Sequence, residues 1–587
     1  MRFFNGITIF MDKLLSVEGL HIGVGKKDKY VEIVRDLNFT LEKGKTLCIA
    51  GESGSGKSLS SLAIMGLLPK AVNVSKGTIN FNNKDLIKYS EKQMQQIRGQ
   101  DIAMIFQEPM TSLNPLMTNG YQLIEAIRAN QICSVSEAKH KALQIFDAVK
   151  IPQAAKRFNQ YPHEISGGMR QRVMIAIALS CNPKILIADE PTTALDVTIQ
   201  AQILTLLREL QQDFNTGLLM ITHDMGVVAE MADDVIVMNR GIVEETGSLT
   251  KVFSLPDSKY TQKLLNSVPK LGEAQHLKQI EHQVPLLEVK DLSVRFPVKK
   301  SFLSRINYEV RAVSNINFNI MPGETLGLVG ESGCGKSTTG KAIMNLIDFE
   351  GSVKLEQSEM NGLSGATLRN KRKDIQMIFQ DPYASLNSRK RIVDLIAEPL
   401  LLHKIVTKHK VRQRVSELLT QVGLDDSALD RYPHQFSGGQ RQRISIARAI
   451  ASAPKLIIAD ESVSALDVTV QAQILTLLHD LQKTLGISYL FISHDMAVIE
   501  QICHRVAVMD CGKIVEMGPT EQVVQNPRHS YTQRLMQAVP IAKLNSRRDF
   551  KSLLDIHELV NPIYLSNAKE ELVKYETYNG NHYVAIS

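Results

Sequence analysis

The sequence predicts an α/β protein in which one domain, built around a mainly parallel sheet, occurs twice. The first observation is a repeat: "GESGSGKS" at 51–58 returns as "GESGCGKS" at 330–337. The second is an alternation in each half, where short β-branched runs such as "ILIAD" and "GLLMIT" are separated by longer helical stretches. Strands that alternate with helices in this way indicate α/β units around a parallel sheet.

The repeat extends over most of the chain and keeps its order. "YPHEISGGMRQR" at 161–172 returns as "YPHQFSGGQRQR" at 432–443, and "ITHDM" at 221–225 returns as "ISHDM" at 492–496. Since solenoid repeats are only about 20–50 residues long, these spacings indicate two duplicated domains. We predict domains over 1–270 and 285–540, a polar linker over 271–284, and a tail over 541–587 that occurs once.

Composition narrows the class of protein. Of 587 residues, 44% are hydrophobic and 22% charged, as in ordinary soluble globular proteins. A net charge of +7 favours a normally solvated surface over nucleic-acid binding, which usually shows a concentrated basic patch. The six cysteines form no C-x-x-C pair, so we expect reduced thiols. We expect no membrane span, and either Met1 or Met11 could begin the chain.

Each half contains a phosphate-binding loop in a specific context. An apolar strand ("TLCIAG" or "TLGLVG") enters G-x-x-x-x-G-K-S, and a helix follows. The glycines let backbone N–H groups surround a phosphate at the positive end of the helix. Lys57 and Lys336 would reach the β- and γ-phosphates of a nucleotide. The predicted loop residues are Gly51, Glu52, Ser53, Gly54, Ser55, Gly56, Lys57 and Ser58 in the first half, and Gly330, Glu331, Ser332, Gly333, Cys334, Gly335, Lys336, Ser337 and Thr338 in the second.

Paired acids end a later apolar strand in each half, in "KILIADE" and "KLIIADE". We expect Asp189 and Asp460 to hold Mg²⁺ together with the loop serines Ser58 and Ser337. The adjacent Glu190 and Glu461 are suited to polarise a water against the γ-phosphate. Such carboxylates could instead be solvated charges at a strand end, but the phosphate loop upstream in both halves favours the metal site.

The order phosphate loop, glutamine loop, "SGG" signature, Asp-Glu pair, "ALD" and a later histidine occurs twice. It resembles that of the ATP-binding-cassette (ABC) ATPases, and the resemblance extends to about Pro540. The resemblance implies ATP and Mg²⁺ as cofactors, and a parallel-sheet core, an antiparallel β subdomain and a helical subdomain in each half. It also implies that the two cassettes pair head to tail, so that each ATP lies between the phosphate loop of one and the signature of the other.

The resemblance also assigns roles to matching residues. Gln107 and Gln380 match the glutamines that act at the metal and the attacking water, and His223 and His494 match the histidines at the γ-phosphate. Phe296 matches the aromatic residue that stacks on adenine; the first half has Val24 there, with Tyr30 nearby. The signature residues are Ser166, Gly167 and Gly168 in the first half, and Ser437, Gly438, Gly439 and Gln440 in the second.

A narrower resemblance concerns "FQEPMTSLNP", "ADEPTTALDVT" and the paired "YTQ" ends. They are similar to the ATPase subunits of dipeptide, oligopeptide, glutathione and nickel importers. This implies an ATP-hydrolysing subunit at the cytoplasmic face of the inner membrane that energises import of peptides or peptide-like molecules. The implied partners are two permease subunits and a substrate-binding protein, with no nucleic acid, and one fused chain would serve each transporter.

Soluble double-cassette ATPases that act on ribosomes are the alternative. They carry a long charged linker and read "NHLD" after the acids, whereas this chain has a short linker and reads "TALD" and "SALD". DNA-repair ATPases are a further class, but they place zinc modules or coiled coils between the phosphate loop and the signature. Coupling to permeases is expected to pass through the two glutamine loops and the helical segments after them.

Overall fold

The computed structural model describes residues 13–25, 30–193, 195–268, 271–272, 277, 280, 284–298, 308–464, 466–540, 542, 563–565, 573–578 and 581–586. The chain divides into two compact units. The first lies within Met1–Leu195, Ile199–Val268 and Pro540–Ile556, and the second within Asp196–Thr198, Pro269–Val539 and His557–Ser587. Both candidate start residues and most of the predicted linker lie outside the described residues, and the predicted domain limits stay predictions.

The strands of the first unit are β1 (Lys13–Val24), β2 (Val31–Glu42), β3 (Thr46–Ala50), β4 (Val72–Phe81), β5 (Lys84–Asp85), β6 (Ile102–Ile105), β7 (Ile185–Asp189), β8 (Gly217–Thr222), β9 (Asp234–Asn239) and β10 (Ile242–Ser248). Its helices are α1 (Lys57–Ile64), α2 (Glu91–Ile97), α3 (Pro109–Ser112), α4 (Asn119–Asn130), α5 (Val135–Ala148), α6 (Ala154–Phe158), α7 (Gly167–Leu179), α8 (Val197–Phe214), α9 (Met225–Met231), α10 (Leu249–Ser254) and α11 (Lys259–Ser267).

The strands of the second unit are β11 (Leu287–Val298), β12 (Tyr308–Ile320), β13 (Thr325–Val329), β14 (Glu350–Leu355), β15 (Ser358–Glu359), β16 (Ile375–Ile378), β17 (Leu456–Asp460), β18 (Ser488–Ser493), β19 (Arg505–Asp510), β20 (Lys513–Pro519), β21 (Ile563–Leu565), β22 (Lys574–Tyr578) and β23 (His582–Ile586). Its helices are α12 (Lys336–Ile343), α13 (Gly365–Arg372), α14 (Pro382–Ser385), α15 (Ile392–Leu402), α16 (Val411–Gln421), α17 (Gly438–Ile450), α18 (Val468–Leu485), α19 (Met496–Ile502), α20 (Thr520–Gln525) and α21 (Ser530–Ala538).

Each unit contains two sheets. In the first unit, β2-β1-β4-β5 is antiparallel, and the second sheet has the order β10-β9-β3-β8-β7-β6. Strands β6, β7, β8, β3 and β9 of that sheet are parallel, with β10 antiparallel at its edge. The corresponding parallel strands β16, β17, β18, β13 and β19 follow the same order in the second unit. The predicted α/β fold is confirmed.

Buried aliphatic runs explain why these sheets form. The strands β3, β7 and β8 are buried along their whole length, as expected for parallel strands covered on both faces. Helices α4, α5 and α6 form a separate helical group between β6 and α7, with α4 packed against α7 through residues such as Leu123 and Ile127. Among the described residues, no helix is both long and apolar enough to cross a bilayer.

Parts of the tail belong to the sheets of the second unit. Strand β21 pairs with β12, and the hairpin β22–β23 extends the larger sheet by pairing β23 with β20. The sequence predicted a tail without assigning it a structure, so this pairing is new information from the fold.

Candidate functional site

The predicted site residues of the first unit meet at one edge of the parallel sheet. The phosphate loop follows β3, Gln107 follows β6, Asp189 ends β7 and is followed by Glu190, and His223 follows β8. Because these strands are parallel, their carboxyl ends lie at the same edge, where α/β sheets usually bind ligands. Topology thus assembles residues that lie far apart in sequence.

The phosphate loop has the backbone geometry that its glycines predict. Gly54 and Gly56 have φ values of 81° and 94°, a region that side chains other than glycine rarely occupy. A Cβ added at Gly54 would meet no atom within 4 Å, so the loop is open on that side. The Lys57 ammonium donates hydrogen bonds to the carbonyls of Gly51 (2.7 Å) and Glu52 (2.8 Å). The loop residues fit a phosphate group, with helix α1 starting at Lys57.

Ser58 and Asp189 place a hydroxyl oxygen and a carboxylate side by side at this edge of the sheet. The Ser58 hydroxyl donates to Oδ1 of Asp189 over 3.0 Å. Burial raises the pKa of Asp189 to about 6, an effect that the Ser58 hydrogen bond opposes and the nearby Glu190 charge reinforces. A hydroxyl beside a carboxylate suits Mg²⁺, which is usually held by one or two protein oxygens together with water and phosphate. Among the described residues, no group of three or more His, Cys, Asp or Glu side chains is placed to hold a metal ion.

Glu190 is held by several donors. Its Oε2 accepts hydrogen bonds from the Gln107 amide (2.9 Å) and the Thr193 hydroxyl (2.8 Å), and its Oε1 lies 3.2 Å from Nδ1 of His223. Burial opposes ionisation of Glu190, but the hydrogen bond and charge of His223, with Thr193 and Lys57, lower its pKa to about 2. Neighbouring Asp189 and Glu190 are thus driven in opposite directions, a pattern typical of acid–base sites.

The second unit repeats this arrangement. Lys336 donates to the carbonyls of Gly330 (2.6 Å) and Glu331 (2.8 Å), and the Ser337 hydroxyl donates to Asp460 over 2.8 Å. Gln380 donates to Oε2 of Glu461 over 2.7 Å, and that oxygen lies 3.6 Å from Nδ1 of His494. Burial raises the pKa of Asp460, whereas His494 overcomes the effect of burial on Glu461 and lowers its pKa.

Two local differences separate the units. The Ser464 hydroxyl, at the position of Thr193, donates to the backbone carbonyl of Glu461 (3.0 Å) instead of its carboxylate. Ser462, at the position of Pro191, is buried, and its hydroxyl has no hydrogen-bond partner among the described residues. The carboxylate of Glu461 therefore accepts fewer hydrogen bonds than that of Glu190. Sequence reasoning did not single out Thr193, although its hydroxyl stands three positions after the acid in "DEPTT".

Each signature opens a helix. Ser166 and Ser437 are the N-cap residues of α7 and α17, and their hydroxyls accept hydrogen bonds from the N–H groups of Met169 (3.3 Å) and Gln440 (3.4 Å). The Gln440 side chain also accepts from the N–H of Ser437 over 3.1 Å. Met169 instead packs against the core of the first unit. The two serines therefore stabilise the helix ends, and each signature remains within its own unit as a candidate anion contact.

The predicted adenine contacts are placed as follows. Phe296 lies on β11 with its side chain 43% exposed, so its ring is available for stacking. Val24 ends β1 of the first unit. The Tyr30 ring packs against Gly23, because a Cβ added at Gly23 would lie 2.5 Å from it, and the Tyr30 hydroxyl is buried without a hydrogen-bond partner among the described residues.

Comparisons with known proteins agree with this geometry. A family model described as ABC transporter matches residues 34–193 and 313–464. Another, described as the oligopeptide/dipeptide transporter C-terminal region, matches 244–302 and 515–557. Similar proteins named glutathione import ATP-binding protein GsiA occur in Escherichia coli O157:H7 (49% identical), Salmonella choleraesuis (49%) and Escherichia coli K12 (48%). Each alignment covers 97% of this chain and 96% of the relative.

Proposed function

Since this chain belongs to the ABC transporter family and is the ATP-hydrolysing subunit of an importer, we propose that it energises uptake of glutathione or a similar small peptide. Its partners are membrane permeases, and it is a peripheral membrane-associated subunit. The proposal adds two permease subunits, a substrate-binding protein, and a position at the cytoplasmic face of the inner membrane. The observation that supports it most is the end-to-end similarity to glutathione import ATP-binding proteins.

The proposed chemistry uses the same residues in both units. Lys57 and Lys336 bind the nucleotide phosphates, and Ser58 with Asp189, and Ser337 with Asp460, hold Mg²⁺. When bound, Mg²⁺ would neutralise charge that develops on the phosphates. Glu190 and Glu461 accept a proton from the attacking water.

Proton acceptance requires a rearrangement around the glutamate. With a pKa of about 2, Glu190 is ionised at neutral pH but is a weak base while Gln107, Thr193 and His223 hold it. Gln107 and His223 can instead donate to the nucleotide and its water, and this exchange raises the basicity of Glu190. Binding of ATP and activation of the general base are coupled in this way.

The structure suggests a path from the second site to the surface. Phe379, next to Gln380, lines a cavity of about 660 Å³ in the second unit, together with Met344, Leu395 and Leu402. The cavity therefore joins the glutamine loop to helix α15. We propose that a cytoplasmic segment of a permease enters it, in line with the expected coupling through the glutamine loops.

The importer function is preferred over action on ribosomes. The similarity to import ATP-binding proteins extends over 97% of the chain, and the C-terminal regions of both halves match a transporter model. Neither observation favours a ribosomal factor.

Uptake of labelled glutathione by cells with and without the gene tests the proposal. Deletion is expected to abolish most energy-dependent uptake, and the wild-type gene to restore it, whereas Lys57→Ala with Lys336→Ala fails because nucleotide phosphates are no longer held. Competition with unlabelled dipeptides and with Ni²⁺ then ranks the substrates. Unchanged glutathione uptake after deletion, with ATP hydrolysis intact in the purified chain, would exclude glutathione as the substrate.

A further inference from the structure

The cavity beside Gln380 in the second unit combines an apolar floor with a basic rim. Leu346 (44% exposed), Phe379 (38%) and Leu402 (56%) present apolar surface to it. The charged side chains that line it are Arg369, Arg372, Arg448 and Glu398, three arginines against one carboxylate. An apolar groove with a basic rim suits a segment that is apolar on one face and acidic at its margins.

The single carboxylate of the rim is already paired. Glu398 accepts from the Lys390 ammonium over 3.0 Å, so it contributes little negative potential to the cavity. Arg389 is not one of the residues that line the cavity, but it is exposed and adjoins Lys390, whose ammonium reaches the rim at Glu398. The charged side chains that line the cavity therefore carry a net positive charge.

The arginines differ in how much of their charge is available. Arg372 donates to the carbonyls of Met344 (3.3 Å) and Asn345 (2.7 Å). Arg448 donates to the carbonyl of Ser385 (2.7 Å). Both arginines therefore also stabilise the fold. Arg369 is exposed and forms no ion pair among the described residues, and the same holds for Arg389. These two side chains are the ones free to contact a partner.

The first unit keeps one of the three rim arginines, Arg98 at the position of Arg372. The match is structural, because Arg98 donates to the carbonyls of Met65 (2.8 Å) and Gly66 (3.0 Å), as Arg372 does one repeat later. Counting from Arg98, Gln95 occupies the position of Arg369. Counting from the glutamine loops, Leu116 occupies that of Arg389.

Other matched positions follow the same trend, with one exception. The signature repeat places Ile177 at the position of Arg448. Glu125 matches Glu398, so the carboxylate is kept while two of the three lining arginines, Arg369 and Arg448, are replaced by uncharged residues. Arg128, at the position of Leu401, is a cation that the second unit lacks. The rims of the two units thus differ mainly in positive charge.

We propose that this basic rim makes the second unit select an acidic cytoplasmic segment of one particular permease, while the first unit takes a more neutral one. The inference rests on the proposed importer function and adds partner discrimination to it. Two similar units on one chain must bind the permeases in a defined order, and charge at the rim of a groove gives specificity with little added affinity.

Binding of the full-length chain to its two permeases in phosphatidylcholine nanodiscs tests the proposal, with the dissociation constant measured over a range of KCl concentrations. Arg369→Glu with Arg389→Glu is expected to raise the dissociation constant about tenfold at low salt, with a smaller effect at high salt because the charges are screened. Arg369→Gln with Arg389→Leu, which installs the residues of the first unit, should raise the dissociation constant by less than the charge-reversed pair does. Acid-to-lysine changes in the permease segment should restore binding of the charge-reversed variant.

The matched control is Gln95→Glu with Leu116→Glu in the first unit, which should change binding by less than about twofold because neither position carries a cation whose charge could be reversed. Thermal unfolding midpoints establish that each variant is folded. Equal weakening by both pairs, or no weakening by Arg369→Glu with Arg389→Glu while the wild type binds, overturns the rim proposal alone. Equal losses on permease-free phosphatidylglycerol discs would make the membrane the partner and overturn it too. A wild-type chain that does not bind the permeases at any salt concentration would overturn the proposed function itself.

Discussion

The glutamate that follows Asp189 or Asp460 has an unusual backbone conformation in each unit. Glu190 and Glu461 have φ values of 46° and 44°, a region that costs a residue other than glycine about 1–3 kcal/mol. Their N–H groups donate to carbonyls at the neighbouring strand, those of Ile221 (2.9 Å) and Ile492 (3.0 Å). This backbone bond holds each carboxylate in place at the sheet edge, where the proposed hydrolysis would occur.

Thr193 gives a test of how the carboxylate of Glu190 is positioned. Its hydroxyl donates to Glu190 over 2.8 Å, and hydrogen bonds to charged groups contribute about 1.5–3 kcal/mol. The Glu461→Gln background leaves only the proposed general base of the first unit. In it, Thr193→Val is expected to lower kcat about tenfold with little change in KM for ATP, because losing the bond that orients the carboxylate outweighs the gain in its basicity. Steady-state ATP hydrolysis measures both constants.

Two variants control for effects on folding. Thr193→Ser keeps the hydroxyl and should restore most of kcat. Ser464→Ala in a Glu190→Gln background should leave kcat within about twofold, because the Ser464 hydroxyl donates to a carbonyl and not to the carboxylate. Equal losses from Thr193→Val and Ser464→Ala would show that the carboxylate contact has no special role.

At the scale of elements, the two glycines of each signature differ in their packing. A Cβ added at Gly168 would lie 2.6 Å from Cγ2 of Ile199 on α8, whereas one added at Gly167 would lie 3.8 Å from Leu195. In the second unit a Cβ at Gly439 would lie 2.4 Å from Val470 on α18, against 3.7 Å from Leu466 for Gly438. The second glycine therefore allows the signature helix to approach its neighbour.

Gly168→Ala is expected to destabilise the first unit by about 1–3 kcal/mol, because the helices must separate to accept the methyl group. Gly167→Ala is the matched variant: it should retain the unfolding temperature while weakening ATP turnover if this face contacts nucleotide. Calorimetry and ATP hydrolysis on both variants separate packing from function. A lower unfolding temperature for Gly167→Ala than for Gly168→Ala would contradict this division.

The hairpin β22–β23 is attached to the second unit through a buried polar pair. Nε2 of His582 lies 2.7 Å from Oε1 of Glu516, and both side chains are buried. Glu516 also accepts from the N–H groups of Arg528 (2.9 Å) and His529 (3.0 Å). Glu245 in the first unit accepts similar backbone bonds from 257 and 258, so the histidine is what the tail adds.

His582→Ala is expected to loosen the hairpin, because it removes one partner of a buried carboxylate at a cost of about 1–3 kcal/mol. Hydrogen exchange of the amides in 574–586 should accelerate, while exchange in the parallel strands of the same unit stays slow. Tyr578→Phe is the control, since its hydroxyl bonds only to the exposed Glu576. Unchanged exchange in His582→Ala would mean that strand pairing alone holds the hairpin.

For the whole molecule, the features that could be predicted from the sequence are those encoded by short motifs and repeats. The duplicated α/β fold followed from repeated segments, and the residues around Lys57 and Asp189 followed from a motif in its strand–loop–helix context. The attachment of His582 to Glu516 could not be predicted, because it joins residues 66 positions apart through a sheet-edge pairing with no sequence signature. The different hydrogen bonds of Thr193 and Ser464 could not be predicted either. Both side chains carry a hydroxyl, and only the geometry decides whether it donates to the carboxylate or to the backbone carbonyl of the glutamate.

The last prediction concerns both units together. Each unit places a lysine, a serine–aspartate pair, a glutamine, a glutamate and a histidine at the same edge of its parallel sheet, so each is expected to hydrolyse ATP. Glu190→Gln with Glu461→Gln should lower ATP turnover about 100-fold or more, because a neutral amide cannot accept the proton of the attacking water. Equilibrium binding of a labelled nucleotide should remain, since the phosphate loops are unchanged.

The single variants then show how much of the ATP hydrolysis each unit performs. If both sites turn over, each single Glu→Gln change should leave measurable hydrolysis, and their effects on glutathione uptake should be similar. The additional hydroxyl on Glu190 favours a modest difference between Glu190→Gln and Glu461→Gln. Loss of all turnover in only one single variant would show that one unit binds ATP without hydrolysing it. Near wild-type turnover in the double variant would instead show that neither glutamate is the general base. The hydrogen bonds from Gln107, Thr193 and Gln380 to these glutamates would then have another role.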